Sequence, residues 1–445
     1  MSTVIVPFPK DQRLRTPLAQ YFRVGEFHRQ FGEMLAAGHL KATRTVFEAG
    51  RLKRQASLAK ELKDEGIEVT LDTCAAELSS IARHKTFVRH APWLGDRQGK
   101  VLTPDDFGDD ELIERIARMA VSLGADRILA PTHFLGDRDF DGWMRVDANA
   151  CVLLRRALDR LGGGRIRIDY PIIHTVQGLT DAKARKELSE TVSNLPVDAI
   201  WMRLSGLGKE PGPQKVRSFI RMLSGLHNLG KPIVLDYCAG LNGEAAEAFG
   251  VASGTASGIL ELDQFNARDW HKPPKAPDPD AEFGRARIVP LLGMGKGFRA
   301  NDFEALASAR GGRKLLLQSE YVSVPSIQEM ITNRRQMQAI HLVRSQDALQ
   351  EVPDLNRAGH FLSKTVSSVE RRAKDISFLK PSEAQAKALK VDLESLLRRT
   401  RDHASTVGKV ADALEKLHEE RGADSARARA CDFNVPQASQ RGDQR

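Results

Sequence analysis

With 445 residues, 41% of them apolar, the chain can bury more core than one ordinary domain, and no run of 18 apolar residues offers a membrane span. The formal charge of +9 is concentrated at the front, where residues 1–60 carry eleven Lys or Arg against four Asp or Glu, which suits either a solvated basic surface or a site for phosphates or nucleic acid. Cys74, Cys151, Cys238 and Cys431 form no CxxC pair, and the start MSTVIVPFPKDQR lacks the basic-then-apolar order of a secretory signal, so reduced thiols in a cytoplasmic protein are expected.

In chain order, residues 1–40 read as an N-terminal cap, with a β-like VIVPF and a helix-spaced FHRQFGEMLAAGHL. Eight short apolar strand candidates follow: 43–50, 66–73, 125–133, 165–175, 198–206, 231–238, 251–260 and 286–295. Helix-sized stretches separate the first six, as parallel pairing demands. Residues 51–66 end in Gly66, and 103–125 open on Thr103-Pro104 and close at Gly124. Stretches 181–195 and 213–230 repeat that grammar, while the Pro- and Asp-rich 270–284 reads as a long loop. The predicted fold is α/β, a (β/α)8 barrel over 41–312, preceded by the cap. A helical C-terminal extension follows over 313–420, and a polar tail over 421–445 is expected to be disordered. Within the extension, LLLQSEYVSV reads as a strand, 326–349 as one long helix, and 381–404 and 406–420 as two amphipathic helices that could support a homodimer.

Most strand candidates end on a polar side chain, and barrel strands deliver their carboxyl ends to one mouth. Glu48, Asp72, His133, His174, Gln177, Arg203 and Asp236 are therefore expected to converge. Asp72, Asp236 and His133 are the catalytic candidates. Asp72 could also cap a following helix, AAELSSIARH. The HxH and HExxH patterns of metallohydrolases are missing, so no metal is assigned, and no cofactor follows from the sequence. GMGKGFR places Gly293, Gly295, Lys296, Gly297 and Arg299 where barrels often seat phosphate, after the last strands.

The segment 172–212 resembles the tRNA-guanine transglycosylase barrel. Gln177 and Gly178 match the first half of that family's Val-Gln-Gly-Gly strand end, with Leu179 in place of its second glycine. Ser205, Gly206, Leu207, Gly208 and Glu210 echo its Gly-Gly-Leu loop, and Asp72 falls where the family carries its general base. The resemblance implies base recognition by Asp72 and Gln177, with RNA or DNA as partner; Gly178, His174, Arg203, Ser205 and Gly206 are the further candidates for binding substrate. The second guanine-reading Asp falls at Thr132–His133, the nucleophile's strand reads VASGTASGI without a carboxylate, and the cysteine ligands of the family's zinc are absent. Three functions stay open. One is a remote transglycosylase-like protein acting on or binding a nucleobase in RNA or DNA. Another is a metal- or acid/base-dependent hydrolase or lyase of a small phosphorylated substrate, using His133, His174 and Asp236. The third is a non-catalytic nucleic-acid-binding barrel.

Overall fold

The structure, a computed structural model, describes residues 15–136, 140–208, 210–226, 229–273, 288–421 and 428–431. Eight parallel strands close into a barrel: β1 (Ala19–Arg23), β2 (Arg44–Glu48), β3 (Glu68–Asp72), β4 (Arg127–Leu129), β5 (Arg167–Thr175), β6 (Ala199–Ser205), β7 (Ile233–Asp236) and β8 (Gly254–Ser257). Helices connect successive strands, which is the (β/α)8 architecture read from the sequence. Sequence-local signals set several of them. Asp109 accepts from the Glu111 amide at the start of the helix Asp110–Leu123, and Gly124 ends it at φ 65°. Asp181 begins the helix Ala182–Ser193 in the same manner, and Pro213 opens Pro213–Gly225 at its first position, where no backbone N–H is needed.

One strand of the closure differs from expectation. β1 lies inside the segment read as a cap, pairing with β2 on one side and β8 on the other. The eighth sequence candidate lies outside the barrel: β9 (Ile288–Leu291) pairs antiparallel with β10 (Lys296–Arg299) in a two-stranded hairpin. β8 already takes β1 as its neighbour, so the closed barrel has no place left for a ninth strand. VIVPF lies outside the described residues, as does most of the Pro-rich loop.

Alternate residues of the strands fill the barrel in layers. Tyr21, Val46, Leu129, Trp201, Val234 and Ala256 form an apolar middle. Below it, Arg127 bonds Asp169 at 2.8 Å and Glu68 at 3.0 Å; above it lies a second charged layer made by the strand ends. Part of the segment read as a disordered tail is ordered here. Cys431 is 1% exposed, joins the middle apolar cluster, and its carbonyl accepts from Arg44, so Ala428–Cys431 closes the barrel floor.

The C-terminal region builds a second apolar core from the β9–β10 hairpin and the helices around it. LLLQSEYVSV is not a strand: Gly312–Leu317 is helical, and Gln318 and Ser323 form only a single bridge. The helix expected over 326–349 breaks at Asn333 into Ile327–Thr332 and Arg334–Gln350. The two expected terminal helices are a short one, Glu383–Ala388, and one continuous helix, Leu393–Arg421. Among the described residues no helix is long and apolar enough to cross a membrane.

Candidate functional site

Four strand ends meet above the apolar layer. Arg23 from β1 donates through Nε and Nη2 to the two oxygens of Asp236 on β7, both at 2.7 Å, and through Nη1 to Asp72 on β3 at 2.9 Å. Arg203 on β6 repeats the bridge, bonding Asp236 at 2.9 Å and Asp72 at 2.8 Å. All four side chains are almost fully buried. The charges balance, and the bidentate fork fixes both guanidiniums. Burial pushes Asp72 up, but Arg203, Arg23 and the Cys74 amide outweigh it and hold the carboxyl at about 2. Asp72 thus caps the backbone at Cys74, whose φ of 59° begins the helix Ala75–Leu78, far shorter than AAELSSIARH.

Two more carboxyls surround the quartet and titrate the other way. Glu48 is raised by burial against the pull of Arg23 and Arg51, although Arg51 bonds it at 2.7 Å. Glu77 is raised by burial and by Asp72 despite Arg203, 3.6 Å away, and its Oε2 has no hydrogen-bond partner. An ionised Asp72 beside raised glutamates is the divergence that acid–base sites display. Charge networks that serve only structure also create it.

Solvent does not reach this layer directly, because the chain after β8 folds over the mouth. Tyr237, Phe265, Trp270, Phe134 and Ala76 form one apolar cluster above the arginines. The Tyr237 ring centroid lies 4.2 Å from the Arg23 guanidinium carbon and 5.1 Å from that of Arg203. The strap is tied by the Ala267 amide to Ser205 Oγ at 2.9 Å, and by the Trp270 carbonyl, which accepts from Ser80 Oγ at 2.7 Å.

The open space lies to one side of the sealed mouth. A cavity of about 1070 Å³ runs between the ends of β6 and β7, the strap, the β9–β10 hairpin and the helix Arg334–Gln350. Leu204, Leu235, Tyr237, Phe265 and Leu291 supply apolar walls; Asp236 reaches its edge. Gly293, Gly295, Lys296, Gly297 and Arg299 line the opposite wall beside Arg334 and Arg335, so the glycine-rich segment and the end of β7 border one cavity, with the Asp236 carboxylate itself buried behind it. Gly293 has φ 78°, and a Cβ there would stand 2.8 Å from the His341 ring, so two constraints demand glycine. His341, held by Ser319 Oγ at 3.2 Å, is driven down to about 4 by burial and by Arg372, and stays neutral at physiological pH.

The other predicted site residues lie apart from the quartet. His133 stacks on Trp143 with ring centroids 3.8 Å apart, and Asp147 holds both its Nδ1, at 2.5 Å, and its backbone amide. His174 turns its Nδ1 to the Thr175 amide at 2.7 Å, and burial lowers it. Gln177 is exposed beside Gly178, and neither lines the cavity; Ser205 serves the strap, and Gly206 takes φ 91° just after it. The convergence expected of seven strand-end residues therefore reduces to Asp72, Arg203, Asp236 and the nearby Glu48. Sequence reasoning missed Arg23, although it ends QYFR as the other polar residues end their strands. It also missed Glu77, which lies on a helix and carries no strand-end signal. Among the described residues no group of three or more His, Cys, Asp or Glu could hold a metal ion. No protein-family model and no curated protein sequence matches the chain.

Proposed function

We propose that the protein binds nucleic acid across the mouth of its barrel and takes a nucleobase into the lateral cavity, with the adjoining phosphates on the β9–β10 hairpin. The cavity carries this reading. Its volume suits a drug-sized ligand, its apolar and aromatic wall suits a flat base, and its opposite wall offers a glycine turn with Lys296 and Arg299. Exposed Lys53 and Arg54, near a surface groove that shares Glu26 and Phe27 with the cavity, extend the basic rim. A base must leave its stack to enter such a pocket.

Recognition is favoured over base exchange. Exchange needs a carboxylate free to attack or to take a proton, whereas Asp72 and Asp236 are each bridged by two arginines. The test is fluorescence anisotropy with labelled tRNA and duplex DNA across a salt series. Binding at micromolar concentration or below with a steep salt slope is expected, and Lys296→Ala with Arg299→Ala should weaken it and flatten the slope by roughly one for each phosphate no longer neutralised. Absence of binding to both polymers at low salt refutes the proposal, and a small phosphorylated ligand becomes the working reading of the same cavity.

A further inference from the structure

We propose that Glu210 is a built-in competitor for the cavity's anion seat: its carboxylate occupies Lys296 until a phosphate group of the ligand displaces it. The inference rests on the reading of the hairpin as a phosphate seat. Glu210 follows β6 and Lys296 begins β10, so distant parts of the chain face each other across the cavity wall. Glu210 Oε2 accepts from Lys296 Nζ at 2.5 Å. A carboxylate and a phosphate oxygen make the same charge-assisted bond to an ammonium, so one can replace the other.

One feature separates this pair from an ordinary surface ion pair. The other oxygen, Oε1, bonds Nδ1 of His403 at 2.5 Å, from the helix Leu393–Arg421. His403 is 5% exposed and its Nε2 has no hydrogen-bond partner, so Glu210 is its anchor among the described residues. Glu210 can thus leave Lys296 while remaining tethered through His403. Meanwhile the Glu210 and Lys296 side chains keep 31% and 22% exposure. A pair this accessible is only modestly stabilising, and a ligand carrying several negative charges can outcompete it where a weakly charged one cannot. Arg299, exposed on the same hairpin, gives such a ligand a second cation that Glu210 does not engage.

The test is calorimetric titration of the full-length protein with inorganic pyrophosphate at constant ionic strength, in wild type, Glu210→Gln, Lys296→Ala and the double variant. Glutamine keeps an oxygen for His403, so the fold is preserved. Glu210→Gln should tighten binding by about two- to fivefold, the equivalent of releasing an exposed ion pair, and Lys296→Ala should weaken it. The gain should vanish when Lys296 is absent. An equal gain with and without Lys296 would mean a general field effect and overturn the competitor role, as would unchanged or weaker binding by Glu210→Gln. Failure of all four proteins to bind pyrophosphate would instead remove the phosphate seat itself, and the competitor with it.

Discussion

Glu247, 2% exposed, lies on the helix Leu241–Ala248 and faces Arg334–Gln350, accepting from Gln346 Nε2 at 3.0 Å. Burial, reinforced by Glu244, pushes its carboxyl to about 8 from the ordinary 4.5, against the opposing pull of Arg357 and Gln346. Between those two values the folded chain holds a proton that the unfolded chain has released. Stability therefore falls as pH rises from about 4.5 to about 8 and levels off above. At ~1.4 kcal/mol per pH unit, the loss reaches about 3 kcal/mol at pH 7 and approaches 5 kcal/mol at pH 9, as upper bounds. Glu247→Gln removes the titration and keeps an amide to pair with Gln346. Urea unfolding followed by circular dichroism should find variant and wild type within about 1 kcal/mol at pH 4, where both states of wild type are largely protonated. The variant should then gain by a few kcal/mol by pH 9. A difference between the two proteins that stays constant from pH 4 to pH 9 would refute the reasoning.

Breaking the mouth quartet should be costly. Arg23→Ala leaves Asp236 buried with half its partners, and a loss of about 3–5 kcal/mol is expected in thermal or urea unfolding; a loss below 1 kcal/mol would contradict the network's buried geometry. Arg23→Lys should recover only part of it, because an ammonium cannot reproduce the two-pronged bond to Asp236. All four cysteines are free and buried, and burial carries Cys151, Cys238 and Cys431 to about 12. Ellman's reagent at pH 8 should therefore react only after urea is added, and rapid native labelling of Cys431 would show that the barrel floor is not closed by its segment. The strap over the mouth is held by few hydrogen bonds, so hydrogen exchange of residues 261–273 should run at least about tenfold faster than that of β6 and β7. Equal protection would make the strap part of the rigid barrel.

The strand spacing was legible because parallel barrel strands are short apolar runs bounded by helix signals, and seven of the eight candidates include strands of the barrel. Gln177 and His174 looked equivalent to Asp72 and Arg203 because each stands near a strand end. A side chain at a strand end faces the interior or the helices according to pleat and register. Ile173 and His174 are neighbours with opposite fates, and a one-residue difference decides which enters the mouth. Glu77, Glu210 and His403 left no periodic trace, since their roles come from contacts between segments remote in sequence.

By itself the sequence determined the class of fold, the helix ends marked by Thr103, Asp181 and Gly124, and the polar character of the mouth, all of which depend on local periodicity and backbone chemistry; that the stretch after Thr103 splits and restarts at Asp109 was not read from it. Only the tertiary structure decided which segments close the barrel. Closure requires β1 to meet β8, and which apolar run takes that place depends on pairing between segments remote in sequence. It also decided that Asp72 and Asp236 are paired with Arg23 and Arg203, and that the accessible cavity lies beside the sealed mouth. Those outcomes are long-range pairings of charge and surface, which no window of the chain contains.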